Sequence, residues 1–200
     1  GPKISIIVPL YNTPAKLFDE MLQSVVRQTY TNWELVLVDA SDAEKRLERR
    51  LPKAVPGTIV YEPIENGGIA LNTTRGFALT HGEYITLLDH DDVLYPNALF
   101  EVVQTIQNTG ADFVYSDEIV LSADLKELGG YHFKPDFAPD YLRGVNFITH
   151  LAVFSRPLLD AAGAYESKEF DGAQDHDLIL RLTEKAQHIE HIKKVLYIWR

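Results

Sequence analysis

The chain has no cysteine. Disulfide staples, thiolate ligands and thiol nucleophiles are therefore excluded, which fits a reducing compartment without requiring one. No apolar run approaches the roughly 18 residues needed to cross a bilayer. Positive charge is scarce: 19 basic residues stand against 29 acidic ones, for a net charge of −10. That balance argues against a basic face for nucleic acid. The glycine-rich phosphate loops are missing as well. Neither G-x-G-x-x-G nor G-x-x-x-x-G-K-S/T occurs, which counts against a dinucleotide oxidoreductase and a P-loop NTPase. Gly1-Pro2-Lys3 leads straight into a strand-like run and does not read as a signal peptide.

What is present is ordinary for a globular domain: 200 residues, 46% hydrophobic and 24% charged, enough for one sizeable core. The first half alternates. Ile4–Val8, Glu34–Val38, Thr58–Tyr61 and Tyr84–Leu88 read as buried strands. Helical patterns follow Pro14 and span Ile69–Leu79, and the charged stretch Asp42–Leu51 is compatible with a helix. This order predicts an α/β fold with a mainly parallel sheet and helices on both faces. The second half is less regular. A helix is expected over Pro96–Asn108, short strands at Phe113–Tyr115 and Ile119–Leu121, and a loop over Lys126–Pro139. A further strand is expected at Leu151–Phe154, a short helix at Pro157–Ala162, a helix carrying Leu178, Ile179 and Leu182, and one or two short strands within Ile189–Trp199. The chain ends on the apolar run Tyr197-Ile198-Trp199-Arg200, as a cut through a longer protein would.

Ligands of such sheets bind outside the carboxyl ends of the strands. Three strands end there in chemically informative residues: Pro9-Leu10-Tyr11-Asn12, Asp39-Ala40-Ser41-Asp42 and Asp89-His90-Asp91-Asp92. All three are expected to converge on one crevice. Crowded carboxylates repel and lose solvation, so a hard cation such as Mg²⁺ or Mn²⁺ is a natural occupant of the third cluster; the plainer reading is a helix cap with solvated acids. His90 is expected to point away from that cation. Asp92 is expected to brace the loop. Asp39 either caps a helix or accepts from a nucleobase or ribose. Tyr11 and Asn12 are turn residues, or Tyr11 offers a ring to a base. Asn66-Gly67-Gly68 is a turn whose glycines also allow a phosphate to approach the next helix. Gln174-Asp175-His176-Asp177 opens a helix. Asp177 fits a capping duty there, which leaves Asp175 as a candidate general base.

Taken together, Pro9-Leu10-Tyr11-Asn12, Trp33-Glu34-Leu35, Asp39, Asn66-Gly67-Gly68, Gly82-Glu83-Tyr84, Asp89-His90-Asp91-Asp92 and Gln174-Asp175-His176-Asp177-Leu178 appear in order. This set resembles the family 2 glycosyltransferases, inverting enzymes of the GT-A fold that use nucleotide-sugar donors. Tyr115-Ser116-Asp117-Glu118, Phe133-Lys134-Pro135-Asp136, Asn146 to His150 and the final Leu196–Arg200 are similar to the rhamnosyltransferase-like branch that builds bacterial surface glycans.

The resemblance implies one GT-A domain over residues 1–200, with 1–95 holding the nucleotide-sugar and 96–200 the acceptor. It implies a UDP- or dTDP-sugar donor, a glycan, glycoprotein or lipid-linked acceptor, and Mn²⁺ or Mg²⁺. Pro9, Tyr11, Asn12, Asp39, Asn66, Gly68 and Asp89 would bind the donor. Asp91, with Asp89, would hold the metal. Asp175 would be the base, with Gln174, His150 and Trp199 on the acceptor side. The implied location is cytoplasmic, with the inner face of the membrane as one option. Ala40 departs from the two adjacent acids usual after the second strand, and Gln174 from the usual Glu. The competing expectations are a nucleotide-sugar hydrolase and a non-catalytic binding module of the same fold.

Overall fold

The structure, a computed structural model, describes residues 1–164 and 174–200. The first half follows the alternation. Strands β1 (Ile4–Leu10), β2 (Trp33–Asp39), β3 (Thr58–Pro63) and β4 (Tyr84–Leu87) lie in the order β3-β2-β1-β4, all parallel. Helices α1 (Ala15–Val26) and α2 (Ile69–Ala78) cover opposite faces. Alternating side chains of β1 divide the core accordingly. Ile4, Ile6 and Val8 meet Phe18, Met21, Leu22 and Val25 of α1, while Ile7 joins Ala70 and Phe77 of α2. Each such buried aliphatic side chain contributes about 1.5–3 kcal/mol.

The Asp42–Leu51 stretch is not a helix of several turns. It forms two single 3₁₀ turns, Ala43–Lys45 and Glu48–Arg50, neither of which buries a side chain. Charge made the stretch helix-compatible, but without an apolar stripe nothing drives a longer helix onto the sheet.

The second half is mixed. After the short β5 (Val93–Leu94) and helix α3 (Ala98–Thr109) come β6 (Phe113–Leu121), β7 (Leu128–His132), α4 (Pro139–Gly144), β8 (Ala152–Ser155), α5 (Arg156–Ala162), α6 (Gln174–Lys185) and β9 (Ile189–Trp199). The sheet continues from β4 through antiparallel β8 to β6, and then through β9, parallel to β6, to β5. Two expectations are corrected here. Residues 113–121 are one nine-residue strand, not two short ones. The expected loop over Lys126–Pro139 contains β7, which pairs with the end of β6.

One buried acid locks the strand start that aims the site. Glu34 on β2 accepts from the Ser5 hydroxyl at 2.6 Å and from the Gly82 amide at 3.0 Å. Burial alone would raise its carboxyl, but Ser5 and the amides of His81 and Gly82 hold it below the usual carboxylate range. Gly82 has to be glycine: a Cβ there would lie 2.5 Å from Ser5 Oγ and 2.7 Å from the Lys3 carbonyl oxygen.

Candidate active site

The carboxyl ends of β1 and β4 and the start of α2 enclose a cavity of about 340 Å³. Pro9, Leu10 and Tyr11 line it from β1; Asn66, Gly68, Ile69 and Asn72 from the turn and α2; Asp89, His90 and Asp91 from the end of β4. Tyr11 is half-exposed, so its ring is open to a stacking partner. Gly68 sits at φ 92°, a conformation that disfavours side chains. Its amide and the Asn72 side chain both donate to Asn66 Oδ1, at 3.0 and 3.1 Å, and the Gly67 amide donates to Asn72 Oδ1 at 3.0 Å. The two asparagines thus fix the turn before the helix N-terminus. Asn72 was not singled out from sequence; its one signal is an asparagine a single turn after the glycine pair.

Two expected donor residues do not line this cavity. Asp39 is fully buried, accepting from the Ser41 amide at 3.0 Å and the Tyr61 hydroxyl at 2.5 Å. Burial and the Asp39 charge push the Tyr61 phenol upward, so it stays a donor. Asn12, at φ 48°, spans the ends of β1 and β2. Its amide donates to Ser41 Oγ at 2.8 Å, and its side chain exchanges two 3.1 Å bonds with Asp42. His90 also lines the cavity, and its Nδ1 meets the Thr13 hydroxyl at 2.5 Å.

The acids at the end of β4 divide their work. Asp92 is fully buried and braces the last strand: Tyr197 donates to its Oδ2 at 2.5 Å and the Arg200 amide to its Oδ1 at 2.9 Å. Burial pushes its carboxyl up to about 7, against those two donors. Asp91 accepts no hydrogen bond at its carboxylate among the described residues. Asp89 is half-exposed to the cleft, yet loss of solvation and then the Asp91 charge raise it to about 6.

Asp89 also opens onto a second, much smaller recess of about 30 Å³. Thr149, His150 and Asp175 supply its other polar walls, and Leu87, Ala152, Phe154, Leu178 and Ile179 its apolar ones. Burial and the nearby Asp89 raise the Asp175 carboxyl. Burial lowers His150, so its imidazole is neutral; the ring stacks on Tyr197 at 4.6 Å with Nε2 3.6 Å from Asp89 Oδ2. Asp177 does not cap: it pairs with Arg181 one turn on, at 2.9 Å. Phe170 to Ala173, part of the same motif, lie outside the described residues. Gln174 and Trp199 line neither cavity; the Trp199 ring lies 5.9 Å from His132.

A cation would find Asp89, Asp92 and His150 grouped, with one potential ligand atom from each lying within 4.8 Å of the others. Asp92 already has a donor on each oxygen. Asp89 and the unpartnered Asp91 are therefore the freer oxygens, with His150 as the nitrogen at hand. Carboxylate oxygens suit hard cations such as Mn²⁺ or Mg²⁺.

The parallel half-sheet with a cavity at its carboxyl edge is a GT-A architecture, and the sequence agrees. Residues 5–158 match the model of glycosyl transferase family 2, and the chain belongs to that family. It is 36% identical over 200 residues to the O-antigen biosynthesis protein RfbC of Myxococcus xanthus, covering 98% of this chain and 16% of RfbC. It therefore spans about a sixth of that relative's length. Two solved structures share the fold. One is S. aureus TarS 1-349 in complex with UDP-GlcNAc, with a TM-score of 0.78, 21% identity, and coverage of 98% of this chain and 58% of that one. The other is the mannosyltransferase PcManGT of Pyrobaculum calidifontis in complex with GDP-Man and Mn²⁺, with a TM-score of 0.68, 20% identity, and coverage of 98% and 56%.

Proposed function

We propose that this domain moves a sugar from a nucleotide diphosphate donor to a hydroxyl of a growing surface glycan, inverting the anomeric configuration. The observation that carries this reading is the double exposure of Asp89. It lines the large cavity with the Gly68 turn, and also the recess that holds Asp175. A donor lying across Asp89 would present its anomeric carbon toward Asp175.

The nucleotide base would rest on Tyr11 and Pro9, and the diphosphate near Gly68 and the α2 N-terminus, where backbone amides favour anions. Mn²⁺ or Mg²⁺ held by Asp91 and Asp89, with His150 at hand, would offset the charge that grows on the departing diphosphate. The acceptor oxygen bonds to the anomeric carbon as the bond to the diphosphate breaks, and the hydroxyl proton passes to Asp175. A carboxyl raised above its ordinary value is the stronger base for that proton.

RfbC is an O-antigen biosynthesis protein by name, and the TarS and PcManGT complexes hold nucleotide-sugars; both support the reading. The test is thermal stabilisation by Mn²⁺ with a panel of UDP-, dTDP- and GDP-sugars, followed by assay of nucleotide diphosphate release. Release that needs an acceptor, with an inverted product by NMR, is expected. Acceptor-independent release would make the protein a hydrolase, and binding without release a carbohydrate-nucleotide binding module.

A further inference from the structure

Two buried charges have no place in the transfer just described. Lys134 is 8% exposed. Its amide donates to Asp117 Oδ1 at 2.9 Å, and its ammonium donates to the backbone carbonyls of Ile148 and His150. Glu118, on β6, is fully buried. Its Oε1 accepts from the Thr149 hydroxyl at 2.5 Å and faces His132 Nδ1 at 3.0 Å, and its Oε2 has no hydrogen-bond partner among the described residues. Burial pulls Lys134 down to about 8, opposed by the charges of Glu118 and Asp117, so it remains an ammonium at neutral pH.

Burying a lysine and a glutamate is costly unless they are paired and bonded. Here their bonds converge on one short segment, residues 148–150. Thr149 sits at φ 38°, a left-handed conformation that a β-branched residue avoids unless its surroundings impose it. The ammonium holds the carbonyls on either side of Thr149, and Glu118 holds its hydroxyl. The outcome is a fixed His150, stacked on Tyr197 and 3.6 Å from Asp89, with Thr149 and His150 both walling the recess that contains Asp175.

We infer that Glu118 and Lys134 are positioning residues: a buried charge clamp that sets the 148–150 segment so that His150 faces Asp89 and Asp175. The clamp acts on the transferase site proposed above, and its kinetic consequences rest on that reading; its structural consequence does not.

Two arms test it. In the first, the protein is labelled with ¹⁵N,¹³C-histidine, and the His150 ring signals are assigned from the spectrum of His150→Gln. Tyr197 stacking gives these signals a ring-current shift. Lys134→Met is expected to move them toward the values of an exposed histidine while His81 and His188 stay in place. In the second arm, transfer is measured at saturating donor. Lys134→Met is expected to lower kcat by about 10²-fold, the scale of a misplaced reacting geometry. In a His150→Ala background the same change should cost little more, since both act through one residue.

Should Lys134→Met not fold, Glu118→Gln/Lys134→Met carries no unbalanced buried charge and is read instead. Thr149→Val, which removes one bond of the clamp, should show a smaller shift of the same signals. Wild-type His150 signals in the variants that fold, or a full additional loss of kcat in the His150→Ala background, would overturn the clamp. If the wild-type protein transfers no sugar, the histidine signals alone still decide it.

Discussion

The Tyr197 hydroxyl donates to Asp92 Oδ2 at 2.5 Å, across 105 positions of sequence. Both residues are fully buried. The bond ties the far end of β9 to the loop that carries Asp89 and Asp91, and Tyr197 also accepts from the Asp89 amide at 3.3 Å. Tyr197→Phe removes both contacts with little change in volume. A buried carboxylate that loses a donor costs about 1–3 kcal/mol, and at roughly 2–4 °C per kcal/mol for a chain of this size the Tm falls accordingly. Urea unfolding of the two proteins checks this, and equal stability would mean that the brace holds nothing.

The same loop sets a pH dependence. Asp89 is raised to about 6 and Asp92 to about 7, from 3.8. Each therefore holds its proton more tightly folded than unfolded. The stability they contribute is fully present below about pH 4 and is lost as pH rises through 6 to 7. His150, lowered by burial, runs the other way, so the comparison must be made against Asp92→Asn. The wild-type advantage over that variant should shrink steadily from pH 5 to pH 7.5. Because a cation needs the unprotonated acids, the Tm gain from Mn²⁺ should be larger at pH 7.5 than at pH 5.5. A gain that is the same or larger at pH 5.5 would rule out carboxylate ligation here.

The parallel half of the sheet was legible because β1, β2 and β4 are buried on both faces and read as apolar runs, each ending in a polar cluster at the ligand edge. The second half was not. Ser116-Asp117-Glu118 looks like an interruption, yet it is the buried middle of β6, its charges met by Lys134, His191, Thr149 and His132. Those partners come from 14 to 74 residues away, beyond the reach of local pattern. Gly129-Gly130 likewise reads as loop, although backbone pairing with β6 makes it strand. Asp89 and Asp175, both singled out from sequence, line the recess, but the carboxylate of Asp39 faces Tyr61 instead of the cavity, a matter of side-chain direction that spacing does not carry.

Asn72 offers a test of the donor side that leaves the acids alone. Asn72→Ala removes the 3.0 Å bond from the Gly67 amide and the 3.1 Å bond to Asn66. Of the bonds that fix the turn, only that from the Gly68 amide to Asn66 Oδ1 then remains. Losing one such restraint, about 1 kcal/mol, should weaken nucleotide diphosphate binding roughly 5- to 10-fold. The turnover at saturating donor should be nearly preserved. Isothermal calorimetry with UDP and Mn²⁺ measures the first quantity; an unchanged Kd would detach this turn from the donor.

In the proposed transfer Asp175 and Asp91 divide the chemistry, and single substitutions should separate them. Asp175→Asn keeps the size of the side chain and removes only the base. Transfer should fall by about 10²–10⁴-fold, the usual worth of a positioned general base, while donor and Mn²⁺ still raise the Tm as in the wild type. Asp91→Ala should do the reverse in kind: the Mn²⁺-dependent Tm gain and the donor affinity are lost together, and transfer falls with them. The neutral His150 beside Asp175 is the obvious substitute base, so the decisive comparison is Asp175→Asn against Asp175→Asn/His150→Gln. If Asp175→Asn retains near-wild-type turnover and the double variant does not, the proton goes to His150 and the recess works through its imidazole.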